Sequence, residues 1–296
     1  MQTYNYIIAD LHIESHINLA EMGVPGFKGF ECPAKPAISP NCTLLYSKEI
    51  QISNHVLVKE ISRFTFAQSD TTCALYRCDN GYLLTLADTQ DDEPDKLFHI
   101  KLPQHTITTN ICSRDIKSIA LLKFGLWVMF GIVLCSHDGI AVHSSTIVSN
   151  GRGVLFLGES GTGKSTHTRL WRENIEGCTL LNDDSPIVRI IDGEARVYGS
   201  PWSGKTPCYK SLSYPIAGIC RLSQAPYNKI RRLPTIVALG AILPSCPPAF
   251  AHDEILEDAI CHTLDTLLSR TPIFHLECLP DADAARLSFN TIIGNE

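Results

Sequence analysis

The sequence predicts an α/β protein in two parts, a β-rich domain over residues 1–113 and a second domain over 114–296. Three observations predict it. Short apolar and alternating runs punctuated by turn residues fill the first part. A helical pattern over 114–136 then marks the domain boundary, with Ile116, Ile119, Leu122, Trp127 and Phe130 recurring on one face. Beyond it apolar strands alternate with helices, the order that builds an α/β layer structure.

In the first part, residues 11–14 alternate, and 74–78 with 82–86 read as a hairpin joined by Asp79-Asn80-Gly81, whose residues tolerate the positive φ of a primed turn. The proline- and glycine-bearing stretch 25–40 reads as a loop, and 89–96 as a solvated acidic loop broken by Pro94. In the second part, strands are expected over 139–148, 153–157, 179–182, 187–191, 195–198 and 273–278. Asp192-Gly193 is expected to turn the chain between two of them. Helices are expected over 164–173, 253–269 and 281–290.

Composition excludes several classes. Lys plus Arg number 25 against 31 Asp plus Glu, a net charge of −6 with no block of like sign, so nucleic acid is not an expected partner. The twelve cysteines include no C-x-x-C pair, which argues against a zinc ribbon and for reduced thiols in a cytoplasmic protein. The chain opens Met-Gln-Thr-Tyr-Asn-Tyr with no basic segment before an apolar one, so no signal peptide is expected. The longest apolar run, 124–135, has 12 residues, short of a membrane span, and reads as a buried helix. Nothing in the composition sets oligomeric state, and a homo-oligomer stays open.

The strongest chemical signal is Gly158-Glu159-Ser160-Gly161-Thr162-Gly163-Lys164-Ser165-Thr166, a match to G-x-x-x-x-G-K-[ST]. Val154-Leu155-Phe156-Leu157 supplies the strand that must precede it, and residues 165–171 lack Gly and Pro, so a helix can begin where the loop ends. Glycines let successive N–H groups face one anion, the helix start adds partial positive charge, Lys164 reaches the terminal phosphates and Ser165 can ligate Mg²⁺. The same expression matches again over 199–206, where Pro201 removes an amide and no helix follows; it is not read as a second nucleotide loop. Trp202, Ser203, Gly204 and Lys205 could face the site or form a surface turn.

Nineteen residues after Lys164 comes Asp183, then Asp184, at the end of an apolar strand. If 153–157 and 179–182 are parallel neighbours joined by a helical crossover, both end on one sheet edge and Asp183 lies beside Lys164. Adjacent side chains at a strand end diverge, so the two acids are expected to divide metal binding and acceptor activation between them. A tight Asp-Asp-Ser-Pro turn is the plainer alternative. His143 could carry a proton or orient Asp183, or be a structural histidine. Arg221, Arg231 and Arg232 could clamp an anion or be solvated.

The stretch 140–186, with Val142-His143-Ser144, the loop 158–166 and Leu180-Leu181-Asn182-Asp183-Asp184, resembles the catalytic domain of HPr kinase/phosphorylase. Its Ser-Gly-Thr-Gly-Lys also resembles the kinase motif of the related phosphoenolpyruvate carboxykinases. The motifs fit well, and the looser fit runs over about residues 137–290. The segment 199–206 and Arg231-Arg232 look more like a kinase-like branch of this superfamily, some members of which phosphorylate serine in peptides or as the free amino acid. The chain lacks the glycine-rich segment after the acids that is linked to phosphorolysis, and it is short for a carboxykinase. The resemblance thus implies an HPr kinase/carboxykinase-like nucleotide-binding domain using ATP and Mg²⁺ to phosphorylate a hydroxyl of a small molecule, peptide or carrier protein. It implies catalytic roles for Lys164, Asp183, Asp184 and His143, with Ser165 and Asp183 on the metal. Two other readings stay open: a nucleotide-binding regulatory module, and a structural protein whose loop holds nothing.

Overall fold

The computed structural model describes residues 2–33, 36–89, 94–204 and 206–294. Half of the expected acidic loop, residues 90–93, and Lys205 lie outside the described residues. By internal contact the chain divides into two units, Met1–Val133 with Ala249–Glu257, and Leu134–Pro248 with Asp258–Glu296. The expected boundary after residue 113 therefore moves to Val133, because the intervening helix packs into the first unit.

That unit carries β1 (Tyr4–Ile8), β2 (Leu11–Ser15), β3 (Cys42–Tyr46), β4 (Leu57–Phe66), β5 (Thr71–Cys78), β6 (Gly81–Asp88), β7 (Lys96–Lys101) and β8 (Thr106–Thr109), followed by α1 (Ile116–Cys135). The strands form an eight-stranded sheet in the order β1-β2-β3-β8-β7-β6-β5-β4. Part of the loop expected over 25–40 is a short 3-10 helix, Pro25–Phe30, opened by a proline whose fixed φ suits a first helical turn. The expected hairpin is present, with Cys78 opposite Gly81. Its turn residues Asp79 and Asn80 do not take positive φ; Gly81 does, at +148°, and a Cβ there would meet the Ile100 carbonyl oxygen at 1.9 Å. Glycine is needed for the close approach of β7 as well as for the bend.

The 12-residue apolar run lies inside a 20-residue helix of mean hydropathy 2.1, long and apolar enough by composition to cross a membrane. Two-thirds of its most apolar 18-residue stretch, 67%, is buried within the protein. Leu121 and Leu122 are buried, and the Phe98 ring occupies the space a Cβ on Gly125 would need, with the nearest ring atom 2.1 Å from that position.

The second unit continues with β9 (Gly139–Ala141), β10 (Ser144–Ser149), β11 (Arg152–Leu157), α2 (Lys164–Asn174), β12 (Thr179–Asp184), β13 (Ile187–Ile191), β14 (Glu194–Tyr198), β15 (Ser213–Gln224), β16 (Lys229–Arg232), α3 (Thr235–Ile242), α4 (Glu254–Arg270, its first turn counted with the first unit), β17 (Ile273–Cys278) and α5 (Ala282–Ile292). Its sheet runs β12-β10-β11-β15-β14-β13-β9, with β17 on β15 and β16 on β17. Asp192 and Gly193 both take positive φ, 50° and 77°, as a primed turn between β13 and β14 requires. The strand expected over 139–148 is broken. Val142 N–H donates to the Pro186 carbonyl and His143 N–H to the Ser245 carbonyl, so the chain leaves one ladder, on β13, before entering the next, on β11 and β12.

In α2, Lys164, His167, Thr168 and Trp171 are buried at the i, i+3, i+4, i+7 spacing of one helical face, while Arg169 and Glu173 pair on the solvent side at 2.8 Å. Trp171 packs edge-on against Phe156 and Phe289, each with ring centroids 5.5 Å away, and burial of a side chain of this size stabilises by about 2–3 kcal/mol. Ser288 on α5 ties the face down, accepting from Trp171 Nε1 at 2.9 Å and lying 3.0 Å from His167 Nε2.

Burial pulls the His167 pKa down from 6.5 to about 4, with Asp281 opposing weakly. The folded state holds this ring neutral, whereas the unfolded chain protonates it below 6.5. Stability is thus complete above that pH and is lost as the pH falls toward 4, by on the order of 3 kcal/mol. Urea midpoints measured from neutral pH downward are expected to show this loss, and His167→Gln, which keeps a partner for Ser288, to show a smaller one.

Candidate active site

The loop after β11 has the backbone that its glycines permit. Gly158, Gly161 and Gly163 take φ of +148°, +85° and +108°. A Cβ on Gly158 would crowd Thr162 at 3.0 Å, whereas space is open at Gly161 and Gly163. Gly163 is the N-cap of α2 and supplies no side-chain acceptor, so the first-turn N–H groups, which have no partner within the helix, remain available to an anion. Lys164 is buried, and its Nζ donates to the Gly158 carbonyl at 2.7 Å and the Glu159 carbonyl at 3.2 Å. Burial pushes its pKa down, with Asp184 and Asp183 pulling the other way. Gln224 at the end of β15 reaches the loop, Nε2 donating to the Gly161 carbonyl at 3.4 Å.

The acids reach this loop by a different route from the expected one. β11 and β12 are not neighbours: β10 lies between them, antiparallel to both. Two reversals leave β11 and β12 parallel, so both still end on one edge, with Phe156, Ser145 and Asp183 in one row across the sheet. The extra strand adds a second spacing, about 10 Å in all. The loop and the first turn of α2 span it, and Ser165 Oγ donates to Asp183 Oδ1 at 2.9 Å.

The two acids diverge. Asp183 is 5% exposed and turned to Ser165, while Asp184 is half-exposed with Oδ1 3.6 Å from His143 Nε2. His143 thus faces Asp184 and not Asp183, and it lies in the break between β9 and β10 rather than on a strand. Burial and then the charge of Lys164 lower its pKa against the pull of both acids, which favours the neutral imidazole. Asp184 has φ +128°, a region costly for a residue with a Cβ. The strain is held in place by Gly204 N–H, which donates to the Asp183 carbonyl at 2.6 Å, and by a bridge between Asp184 and Ser203.

Residues 203–204 therefore lie against the acids, and the described residues after them form no helix before β15. Asn182, not singled out from sequence, organises this packing. Fully buried, it donates from Nδ2 to the Trp202 carbonyl at 3.0 Å and accepts at Oδ1 from Ser185 N–H at 2.9 Å. A polar amide between Leu181 and two acids in a buried strand is the signal that marks it. Asn182→Ala removes both of these buried hydrogen bonds and is expected to cost about 2–3 kcal/mol in urea unfolding.

The arginines are not gathered at the loop. Arg221 pairs in register with Leu157 but donates to the Ala241 carbonyl at 3.2 Å, and Arg231 lies beside His275 at 3.4 Å. Arg232 lines an open cavity of about 590 Å³ with Arg152 and Arg270, at the edge where β11 and β17 begin, opposite Lys164. Among the described residues no disulfide joins the cysteines.

No family model matches the chain, and no curated protein matches it in sequence. Among solved structures, the HPr(Ser) kinase/phosphatase from Coxiella burnetii is a neighbour at 14% identity and a TM-score of 0.32, covering 52% of this chain and 88% of that one. A likeness that slight carries no argument, and the site is read on its own geometry.

Proposed function

We propose that the second unit is an ATP-dependent phosphotransferase that moves the γ-phosphoryl group to a hydroxyl, of serine in a small molecule, peptide or carrier protein. The observation that carries the reading is the Ser165–Asp183 contact of 2.9 Å directly beneath an uncapped helix start. A hydroxyl beside a carboxylate is the hard oxygen pair that Mg²⁺ prefers, and a buried ammonium with free first-turn amides suits a phosphate chain. In this reading the loop Gly158–Thr166 binds the phosphates, with Glu159, Ser160 and Thr162 contributing backbone. Lys164 neutralises the transferring group, and Ser165 and Asp183 hold the metal. Bound Mg²⁺ would offset charge between the β- and γ-phosphates. Asp184, with His143 behind it, takes the acceptor's proton.

Labelled ATP with Mg²⁺ and a panel of serine, serine peptides and small carrier proteins tests this. Acceptor-dependent label is the expected result. Slow hydrolysis indifferent to every acceptor would replace the kinase by a nucleotide-binding regulatory module.

A further inference from the structure

The first unit contains a second cluster of chemically capable side chains. His55 follows the short 3-10 helix Ile52–Asn54, Cys78 ends β5 and His99 lies on β7, so three separate segments meet beside the Asp79–Asn80 turn. One ligand atom from each lies within 4.8 Å of the other two. The imidazole rings are 4.1 Å apart between centroids and inclined by 35°.

The hydrogen bonding leaves this cluster incomplete. His99 Nε2 lies 2.8 Å from Asn80 Oδ1. An amide oxygen only accepts, so Nε2 carries the ring proton and Nδ1 keeps its lone pair, the arrangement by which an outer acceptor orients a metal-binding histidine. The Cys78 thiol lies 3.6 Å from the same oxygen, and the backbone N–H groups of Asn80 and Gly81 face its sulfur. His55 Nδ1 is buried without a hydrogen-bond partner, a cost of about 1–3 kcal/mol if nothing occupies that side of the ring.

We propose that His55, Cys78 and His99 bind a zinc ion, with water in the fourth position. Two imidazoles and a thiolate form a borderline-soft donor set that suits zinc and is poorly matched to Mg²⁺ or Ca²⁺, which seek oxygen. Zn–S and Zn–N bonds of about 2.3 and 2.0 Å bring ligand atoms to roughly 3.5 Å from one another, so closure takes shifts of about 1 Å at most, within reach of side-chain rotation. On binding, the Cys78 S–H bond breaks, the sulfur keeps the electron pair for zinc and the proton passes to solvent. The ion ties the segment before β4 to β5 and β7.

The test uses the full reduced chain, stripped of metal, titrated with Zn²⁺ against a chromophoric chelator and separately with Co²⁺. One tight zinc equivalent, a cobalt–thiolate charge-transfer band in the near ultraviolet and a rise in thermal midpoint with zinc are expected. Cys78→Ser and His99→Gln are each expected to lose the equivalent and the band, while Cys112→Ser and Cys261→Ser, at exposed thiols, keep them. If His99→Gln does not fold, Cys78→Ser, which changes one atom, decides. Absence of a tight equivalent, or an equivalent and band that survive Cys78→Ser, overturns the proposal.

Discussion

Lys164→Met is expected to lower acceptor-dependent phosphoryl transfer by about 10³-fold while leaving the fold intact, because it removes the positive charge that the proposed function assigns to the transferring group. The same substitution is expected to leave stability unchanged or raise it. Lys164 is buried, with its pKa pushed down chiefly by that burial, so folding desolvates an ammonium that two loop carbonyls only partly compensate. Met has nearly the same length and no such cost. Comparing label transfer with the thermal midpoint in one preparation separates the effects: lost transfer with a retained or raised midpoint is expected, and full transfer in the variant would remove the catalytic reading.

That separation matters because the lysine proposed to act on the transferring group also ties the loop together. Lys164 bonds the carbonyls of Gly158 and Glu159 and so helps hold the loop's shape. Sequence showed the loop and its helix well: α2 begins at Lys164, as expected, and ends one residue beyond the expected 173. Such motifs are legible because they are local. Glycines at positive φ and a run free of helix breakers are set by residues a few positions apart.

Sheet order was not legible, for a physical reason. β10 and β11 are almost entirely buried, and β12 is buried through Leu180–Asp183, so none shows the strict alternation that marks a strand with one solvent face. Nothing in Ser144–Ser149 says that it inserts between the loop strand and the acid strand. The expectation that Asp183 would lie near Lys164 survived the wrong neighbour because two antiparallel steps restore the original direction. Gly204 and Ser203 illustrate the complementary limit. Pro201 and the lack of a following helix mark their segment as no phosphate loop, but its contact with Asp183 and Asp184 depends on Asn182, whose partners lie up to 26 residues away at Cys208.

The strongest separation of roles is expected between the two acids. Asp183→Asn keeps a hydrogen-bonding oxygen for Ser165 but removes the charge from the hard oxygen pair. Its transfer rate should fall by about 10²–10³-fold, with a rightward shift in the Mg²⁺ concentration for half-maximal rate. Asp184→Asn leaves that pair untouched and removes the group that faces His143 across 3.6 Å. Its rate should fall by about 10²–10⁴-fold, the usual span for loss of a general base, with nucleotide affinity and the Mg²⁺ requirement unchanged. The neutral imidazole of His143, favoured by burial and by Lys164, can relay the proton; its pKa lies below the ordinary 6.5, so the acid limb of wild-type kcat should lie below that pH as well. Mg²⁺ titrations and pH profiles of both variants check this. A shifted Mg²⁺ requirement in Asp184→Asn, or none in Asp183→Asn, would mean that the buried carboxylate and the exposed one do not divide the work as their surroundings indicate.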